Sequence, residues 1–253
     1  MRFEQRLVDL DFSDANASFS HDHNLEKISA DILFGADGAF SKVRRLAQDT
    51  PGFSYSQSYM PQSYIELNIP ANDDGSFKIA KNALHIWPRK TFMLIALPNP
   101  DGSFTSTLFL DAEGEVSFSS LTNRAEVAAF FTGNFADALP LMENPIDDFL
   151  NKTASPLFLL NVDPWVVNNT VALIGDAAHA MVPFYGQGMN FGFEDCRVLD
   201  ELITEYQQDW SKIFPSYQVA RKINADAISE FAKQIFFEMS ELSGQARFLL
   251  QKE

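Results

Sequence analysis

Cysteine is nearly absent: Cys196 stands alone in 253 residues, so neither an internal disulfide nor a cysteine-built zinc site can form within the chain. That fits a reducing compartment, and a cytoplasmic location is the expectation. Positive charge is scarce too. Nineteen Lys and Arg face 34 Asp and Glu, and the net charge of −15 repels a nucleic-acid backbone or an anionic membrane surface. No apolar run approaches the ~18 residues of a membrane span. The opening MRFEQRLVDLDF alternates in polarity and carries acids, unlike a signal peptide. Histidine is sparse at four, and His21 and His23, in a polar turn without further ligands, read as surface residues rather than a metal site. No repeat and no long linker is visible. What the sequence does have is 46% hydrophobic and 21% charged residues, enough to build a substantial core and to exclude disorder.

The patterns of polarity predict elements in a definite order. Arg2 to Phe12, followed by the polar stretch Ser13 to Asn24, reads as a hairpin. Ala30 to Phe34 is a short buried-type strand that ends on the turn Gly35-Ala36-Asp37-Gly38, and Ser41 to Asp49 has helical spacing. Residues 51–118 are rich in Tyr, Phe, Ile and Thr with Gly-bearing turns between them, the signature of an antiparallel sheet. Short helices are expected over Asn123 to Phe135 and Phe135 to Glu143, and a return toward strand over Ala154 to Trp165. Thr170 to Ile174 is a second buried-type strand ending on Gly175-Asp176, with a helix over Asn190 to Tyr206. Beyond Pro215, the spacing of Val219, Ile223, Ala227, Ile228, Phe231, Ile235 and Met239 predicts one long amphipathic helix over Tyr217 to Leu242. The domain boundaries that follow are 1–50 and 161–205 for two parts of one nucleotide-binding domain, 51–160 for an inserted sheet, and 206–253 for a helical end.

Two segments carry the chemistry. FGADG (Phe34 to Gly38) and LIGDAAHA (Leu173 to Ala180) each set a carboxylate beside glycine at a strand end, where backbone can approach a nucleotide and Asp can accept from sugar hydroxyls. An Asp-capped turn explains either one alone equally well. The second runs on into MVPFYGQGMNFGFEDC, where Gly186, Gly188 and Gly192 precede or open a helix whose free N–H groups favour an anionic or electron-rich ring. Glu194 and Asp195 then read as acids stabilised by the helix dipole, and Cys196 as buried and inert. In FMLIAL, Met93, Ile95 and Leu97 share one strand face, and Thr107 and Phe109 share another. With Leu84, Pro183, Phe184 and Tyr185 they could wall an aromatic pocket, or Leu84 and Leu97 could be plain core.

FGADG together with IGDAAHAMVPFYGQGMNFGFED resembles the second and third flavin motifs of the single-component, FAD-dependent aromatic hydroxylases. MPQSYIELNIP (Met60 to Pro70) and LHIWPRKTFMLIALPNPDGSFTSTLF (Leu84 to Phe109) are similar, in sequence and order, to the branch of that family that acts on L-kynurenine. The resemblance runs from Phe3 to about Met239. It implies an α/β (α+β) fold: an FAD/NAD(P)-binding domain of the hydroxybenzoate-hydroxylase type, interrupted by an antiparallel sheet that roofs the substrate. It further implies FAD reduced by NADPH, O2 as oxygen donor, hydroxylation of L-kynurenine to 3-hydroxykynurenine in tryptophan degradation, and a homodimer as the possible assembly. Asp176 would bind the ribityl or pyrophosphate region, with Gly186, Gly188, Met189 and Asn190 at the isoalloxazine edge. Asp37 and Gly38 would meet the dinucleotide and Leu7 the adenine, Arg44 and Arg45 would assist with phosphate or equally well form a solvated helix face, and His179 would pack near the flavin. The substrate pocket would comprise Leu84, Met93, Ile95, Leu97, Thr107, Phe109, Pro183, Phe184, Tyr185 and Glu238, with no acid or base catalyst and no metal.

The sequence departs from that pattern in places. It has no G-x-G-x-x-G fingerprint, and Ile235-Phe236-Phe237-Glu238-Met239 stands where the resemblance implies Asn-Tyr-x-Glu-Met, so Ile235 replaces an amide. Gln62-Ser63-Tyr64 replaces His-Gly-Tyr. The expectation is therefore an incomplete flavin domain, in a fragment of the full enzyme that holds FAD weakly when alone. Another hydroxylase of the class, or a non-catalytic remnant, are the alternatives.

Overall fold

A computed structural model describes residues 1–183 and 186–239. The chain divides into two compact units: Met1–Ser58 with Phe158–Lys233, and Tyr59–Leu157 with the stretch that begins at Gln234.

In the first unit, β1 (Arg6–Asp11), β2 (Asn16–His21) and β3 (Asn24–Ile28) form an antiparallel meander, so the expected hairpin gains a third strand. A second sheet joins β4 (Leu33–Gly35) in parallel to β11 (Val171–Leu173), which pairs antiparallel with β10 (Val166–Val167). Three helices pack around it. α1 (Lys42–Ala47) starts where Ser41 Oγ accepts the amide of Arg44 at 2.9 Å and Asp37 Oδ2 accepts those of Lys42 and Val43 at 2.7 and 3.1 Å. These bonds occupy N–H groups that the first helical turn cannot satisfy itself. α4 (Asp176–His179) is a single turn, and α5 (Gly188–Tyr206) opens two residues before the expected start. The core between these elements gathers Val43, Trp165, Val171, Leu173, Phe214 and Tyr217.

The long helix α6 (Trp210–Phe237) differs from expectation in start and in face. Pro215 lies inside it rather than before it, as its sixth residue. Val219 and Ile223, read as the buried stripe, are 77% and 73% exposed, while Tyr217, Arg221 and Ala225 face the core. An arginine at a buried position shifted the apparent stripe.

The second unit holds a five-stranded sheet in the order β6 (His85–Arg89), β7 (Phe92–Pro98), β8 (Phe104–Asp111), β5 (Ser54–Ile69), β9 (Ser155–Asp163). The pairs β6–β7, β7–β8 and β8–β5 are antiparallel, and the chain passes between the units within β5 and β9. Leu94, Ala96, Leu108 and Leu110 project from one face onto a core shared with α2 (Arg124–Asn134) and α3 (Pro145–Asn151), through Phe130, Phe131 and Phe149. α2 begins at a capping box: Asn123 Oδ1 accepts the amide of Glu126 at 3.1 Å, and Glu126 Oε2 accepts that of Asn123 at 3.3 Å. The helix expected over Phe135 to Glu143 is only a 3₁₀ turn at Leu139–Leu141, because Pro140 interrupts the amide ladder. The helix instead follows at α3, with Pro145 in its first turn and Asp147 and Asp148 at its positive end.

Candidate functional site

The parallel pairing of β4 with β11 sets Gly35 beside Leu173, so the two Gly-Asp turns leave adjacent strand ends. Gly35 is obligatory here, since a Cβ would lie 2.9 Å from both Leu173 and Val43. One side chain then links the turns. The buried Arg44 donates from Nη2 to the carbonyl of Ala39 at 2.6 Å and from Nη1 to that of Ala177 at 2.7 Å. Burial lowers its pKa from the ordinary arginine value, with Tyr55 and Asp37 opposing that shift. Arg44 is thus committed to backbone carbonyls and does not face solvent to meet a phosphate, as its helical position suggested; Arg45 stays exposed.

The second turn is fixed from beneath. Gly175 adopts φ 60 and ψ −140, and its amide donates to Asp195 Oδ2 at 2.9 Å. Asp195 is fully buried; the same oxygen meets His179 Nε2 at 2.6 Å, and its Oδ1 accepts from Arg221 Nε at 2.8 Å. Burial pushes the Asp195 carboxyl up, but the bonds from His179, Arg221 and Gly175 outweigh it and hold the pKa below the usual carboxylate range. Arg221 also donates to the carbonyl of Phe191 at 3.2 Å and lies 4.9 Å over that ring. Asp195, eighth residue of α5, is therefore an ion-pair partner rather than a first-turn acid stabilised by the dipole. Glu194 is half-buried and holds Arg197. Cys196, expected buried, is exposed because it follows Asp195 round the helix to the solvent side.

Asp176 projects from this turn, exposed and without a hydrogen-bond partner among the described residues. Gly188, at the start of α5, has no side chain to fill the space beside it; a Cβ would come 3.8 Å from Asp176 Oδ1. Met189 and Asn190 are exposed on the same helical turn, and Gly186 on the loop before it. Two cavities flank these elements. One of about 600 Å³ brings together Leu7, Phe19, Phe34, Asp37, Phe40 and Arg45. The other, of about 680 Å³, lies between α5 and α6 and is lined by Gln187, Asn190, Phe191, Arg221 and Phe231 among others.

Residues 148–232 match the family model described as FAD binding domain. The chain is 49% identical over 253 residues to kynurenine 3-monooxygenase of Flavobacterium psychrophilum, and 45% identical over 240 residues to that of Dictyostelium discoideum. These matches cover 99% and 90% of this chain but 57% and 52% of those proteins. Along nearly its whole length the chain is similar to kynurenine 3-monooxygenases. It spans little more than half the length of the curated relatives it matches. Among solved structures, 2-methyl-3-hydroxypyridine-5-carboxylic acid oxygenase superposes with a TM-score of 0.70 at 19% identity, over 90% of this chain and 58% of that one. HpxO of Klebsiella pneumoniae, solved with FAD, gives 0.66 at 17%, over 98% and 62%. The fold is thus the FAD-dependent hydroxylase fold of the hydroxybenzoate-hydroxylase type, as the motifs implied.

Within the second unit, the β7–β8 register aligns the two strand faces that the sequence showed separately. Met93 pairs with Phe109 and Ile95 with Thr107, while Leu97 lies opposite Thr105, all on the face turned away from the α2–α3 core. Met93, Ile95 and Phe109 are buried and Thr107 is half-buried. Leu84 and Leu97, at 44% and 47% exposure, are not plain core. Tyr64 and Phe236 reach Phe109 with ring centroids at 6.1 and 6.4 Å, contacts that periodicity alone did not disclose. Glu238 is half-buried beyond Phe236, and Pro183 is exposed in the first unit. Phe184, Tyr185 and the side chain of Ile235 lie outside the described residues. No group of three His, Cys, Asp or Glu among the described residues could hold a metal, and no described helix is long and apolar enough to cross a membrane.

Arg221 and Asp195 escaped the sequence reading, although a signal existed. Tyr217, Arg221 and Ala225 recur at helical spacing, as do Phe191, Asp195 and Leu199. A single charge within each stripe marks a buried pair rather than a solvated face.

Proposed function

We propose that this chain supplies the flavin-facing turns and the substrate sheet of an FAD- and NADPH-dependent hydroxylase that converts L-kynurenine to 3-hydroxykynurenine. The observation that carries the reading is the carboxylate of Asp176, without a partner among the described residues, beside the side-chain-free start of α5, in a chain related along nearly its whole length to kynurenine 3-monooxygenases. The residues present fit a flavin there. Asp176 would accept from ribityl hydroxyls, and the amides of Gly188, Met189 and Asn190 would face the isoalloxazine edge. Leu7, Asp37 and Gly38 would meet the adenosine half in and beside the 600 Å³ cavity. When bound, the flavin supplies the redox chemistry that activates O2.

The sheet supplies positioning and dryness. Met93, Ile95, Leu97, Thr107 and Phe109 present an apolar wall with no group able to deprotonate a phenol, which suits the neutral aniline ring of kynurenine. Leu84 would extend that wall, and excluding water protects the oxygen transfer from side reactions. Glu238 would serve the charged amino-acid end. The test is L-kynurenine-stimulated NADPH oxidation with formation of 3-hydroxykynurenine, in the whole protein that contains this chain, with 4-hydroxybenzoate as comparison. Hydroxylation of 4-hydroxybenzoate without that of kynurenine would overturn the substrate.

A further inference from the structure

The buried charges of the first unit converge on the backbone of one turn. Asp195 spends Oδ2 on the Gly175 amide and His179 Nε2, and Oδ1 on Arg221 Nε. Arg221 belongs to α6, Asp195 to α5, and Gly175 closes β11, so three elements meet at one carboxylate. The glycine cannot be replaced without displacing that meeting point. Its φ of 60 with ψ of −140 is a backbone conformation that a residue with a Cβ adopts only under strain, although the Cα of Gly192, on the helix that carries Asp195, would leave room for the Cβ itself. Trp165 and Phe191 close the pocket around His179, with ring centroids at 5.1 and 5.9 Å. His179 Nε2 donates to Asp195 in this arrangement, and its Nδ1 is buried without a partner among the described residues. A hydrophobic core would pack these helices without any buried charge. What the charge adds is a directional bond to a single backbone N–H, one residue before Asp176.

We propose that Asp195, held in place by Arg221, is a positioning residue for flavin retention: it fixes the Gly175 turn so that Asp176 is presented at a set height beside the start of α5. It touches the turn and not the cofactor. The proposal rests on the reading of Asp176 as a flavin ligand. It adds that the site is built from α6 as well as from the turn itself, so a residue 45 positions after Asp176 controls it.

The test uses this chain and two readouts. Amide hydrogen exchange at Gly175, followed by NMR, reports the tether without any flavin. Titration of the Gly175 and Asp176 amide signals with FAD reads an affinity whether weak or strong. Asp195→Asn should speed Gly175 exchange at least tenfold relative to amides elsewhere in β11 and α5, and raise the FAD dissociation constant severalfold. Arg221→Lys, which retains the charge, should preserve the affinity within about twofold. Where the lone guanidinium left by Asp195→Asn unfolds the chain, Asp195→Asn/Arg221→Gln removes both charges and should give the same two shifts in a folded protein. Faster exchange with unchanged FAD affinity overturns the proposal, provided Asp176→Ala still weakens FAD. Unchanged exchange overturns the tether itself. If Asp176→Ala leaves the affinity untouched, the flavin reading of the turn has failed, and the positioning role with it.

Discussion

Met93 and Phe109 stand directly opposite one another on β7 and β8, buried on the sheet face turned away from α2 and α3. A core pair and a substrate wall both require burial, but they answer differently to a change of shape. Met93→Leu conserves volume and should cost less than about 1.5 kcal/mol of stability, whereas Phe109→Ala should cost ~3–5 kcal/mol. In the whole protein, Met93→Leu should nonetheless raise the KM for kynurenine. Urea denaturation beside steady-state kinetics checks both, and a KM unmoved by Met93→Leu would return this residue to plain core.

Removing the carboxylate of Asp176 should weaken flavin retention. A hydrogen bond to a charged acceptor is worth ~1.5–3 kcal/mol, a factor of roughly ten to more than a hundred in affinity. Flavin fluorescence titration of Asp176→Ala against the parent, in the whole protein, gives the number directly.

Ile235 occupies the place where the sequence resemblance implies an amide. Restoring it with Ile235→Asn should tighten kynurenine by up to the worth of one hydrogen bond to a charged group, ~1.5–3 kcal/mol. An unchanged KM for kynurenine would show that the register of the end of α6 against its relatives is misplaced.

Asn123 closes the capping box of α2. Asn123→Ala should cost ~0.5–2 kcal/mol and lower the thermal midpoint by a few degrees, without altering flavin affinity. A lost cofactor response in this variant would be unexpected, since α2 packs on the sheet face opposite Met93.

Asp195 gives the first unit an acid-dependent component of stability. Its folded pKa lies below the ordinary value, so the stabilisation is fully present above the unfolded carboxylate range and is lost as pH falls through the folded pKa. His179, Tyr217 and Glu194 are titratable groups facing the pair. Chemical denaturation at stepped pH should therefore show the stability gap between parent and Asp195→Asn narrowing below about pH 4. A gap that is constant from neutral to strongly acid pH would contradict the depressed carboxyl.

The sequence disclosed the parts of this molecule whose pattern is local. FGADG and LIGDAAHA announced strand ends because a short apolar run meeting Gly-Asp has few other uses, and the alternation in FMLIAL revealed a sheet face. The register that places Thr107 beside Ile95 is a long-range pairing, which no window of residues contains. α6 was misread for a related reason. Val219 and Ile223 look like core by hydropathy, but the face was chosen by Arg221 seeking Asp195, 26 residues away. Arg44 is neither a phosphate ligand nor part of a solvated face, and a basic residue in a first helical turn gives no hint that two carbonyls, one of them 133 residues distant, will claim it.

That clasp has an evolutionary implication. Ala39 and Ala177 belong to chain segments separated by the whole excursion through the second unit, yet Arg44 grips both with one guanidinium. The spacing between the Asp37 and Asp176 turns is therefore set inside the first unit by a short-range lock. The inserted sheet is free to lengthen, shed loops or exchange the residues of its exposed face without detuning the frame of those two turns. A scaffold wired in this way can change what it acts on while keeping how it is powered.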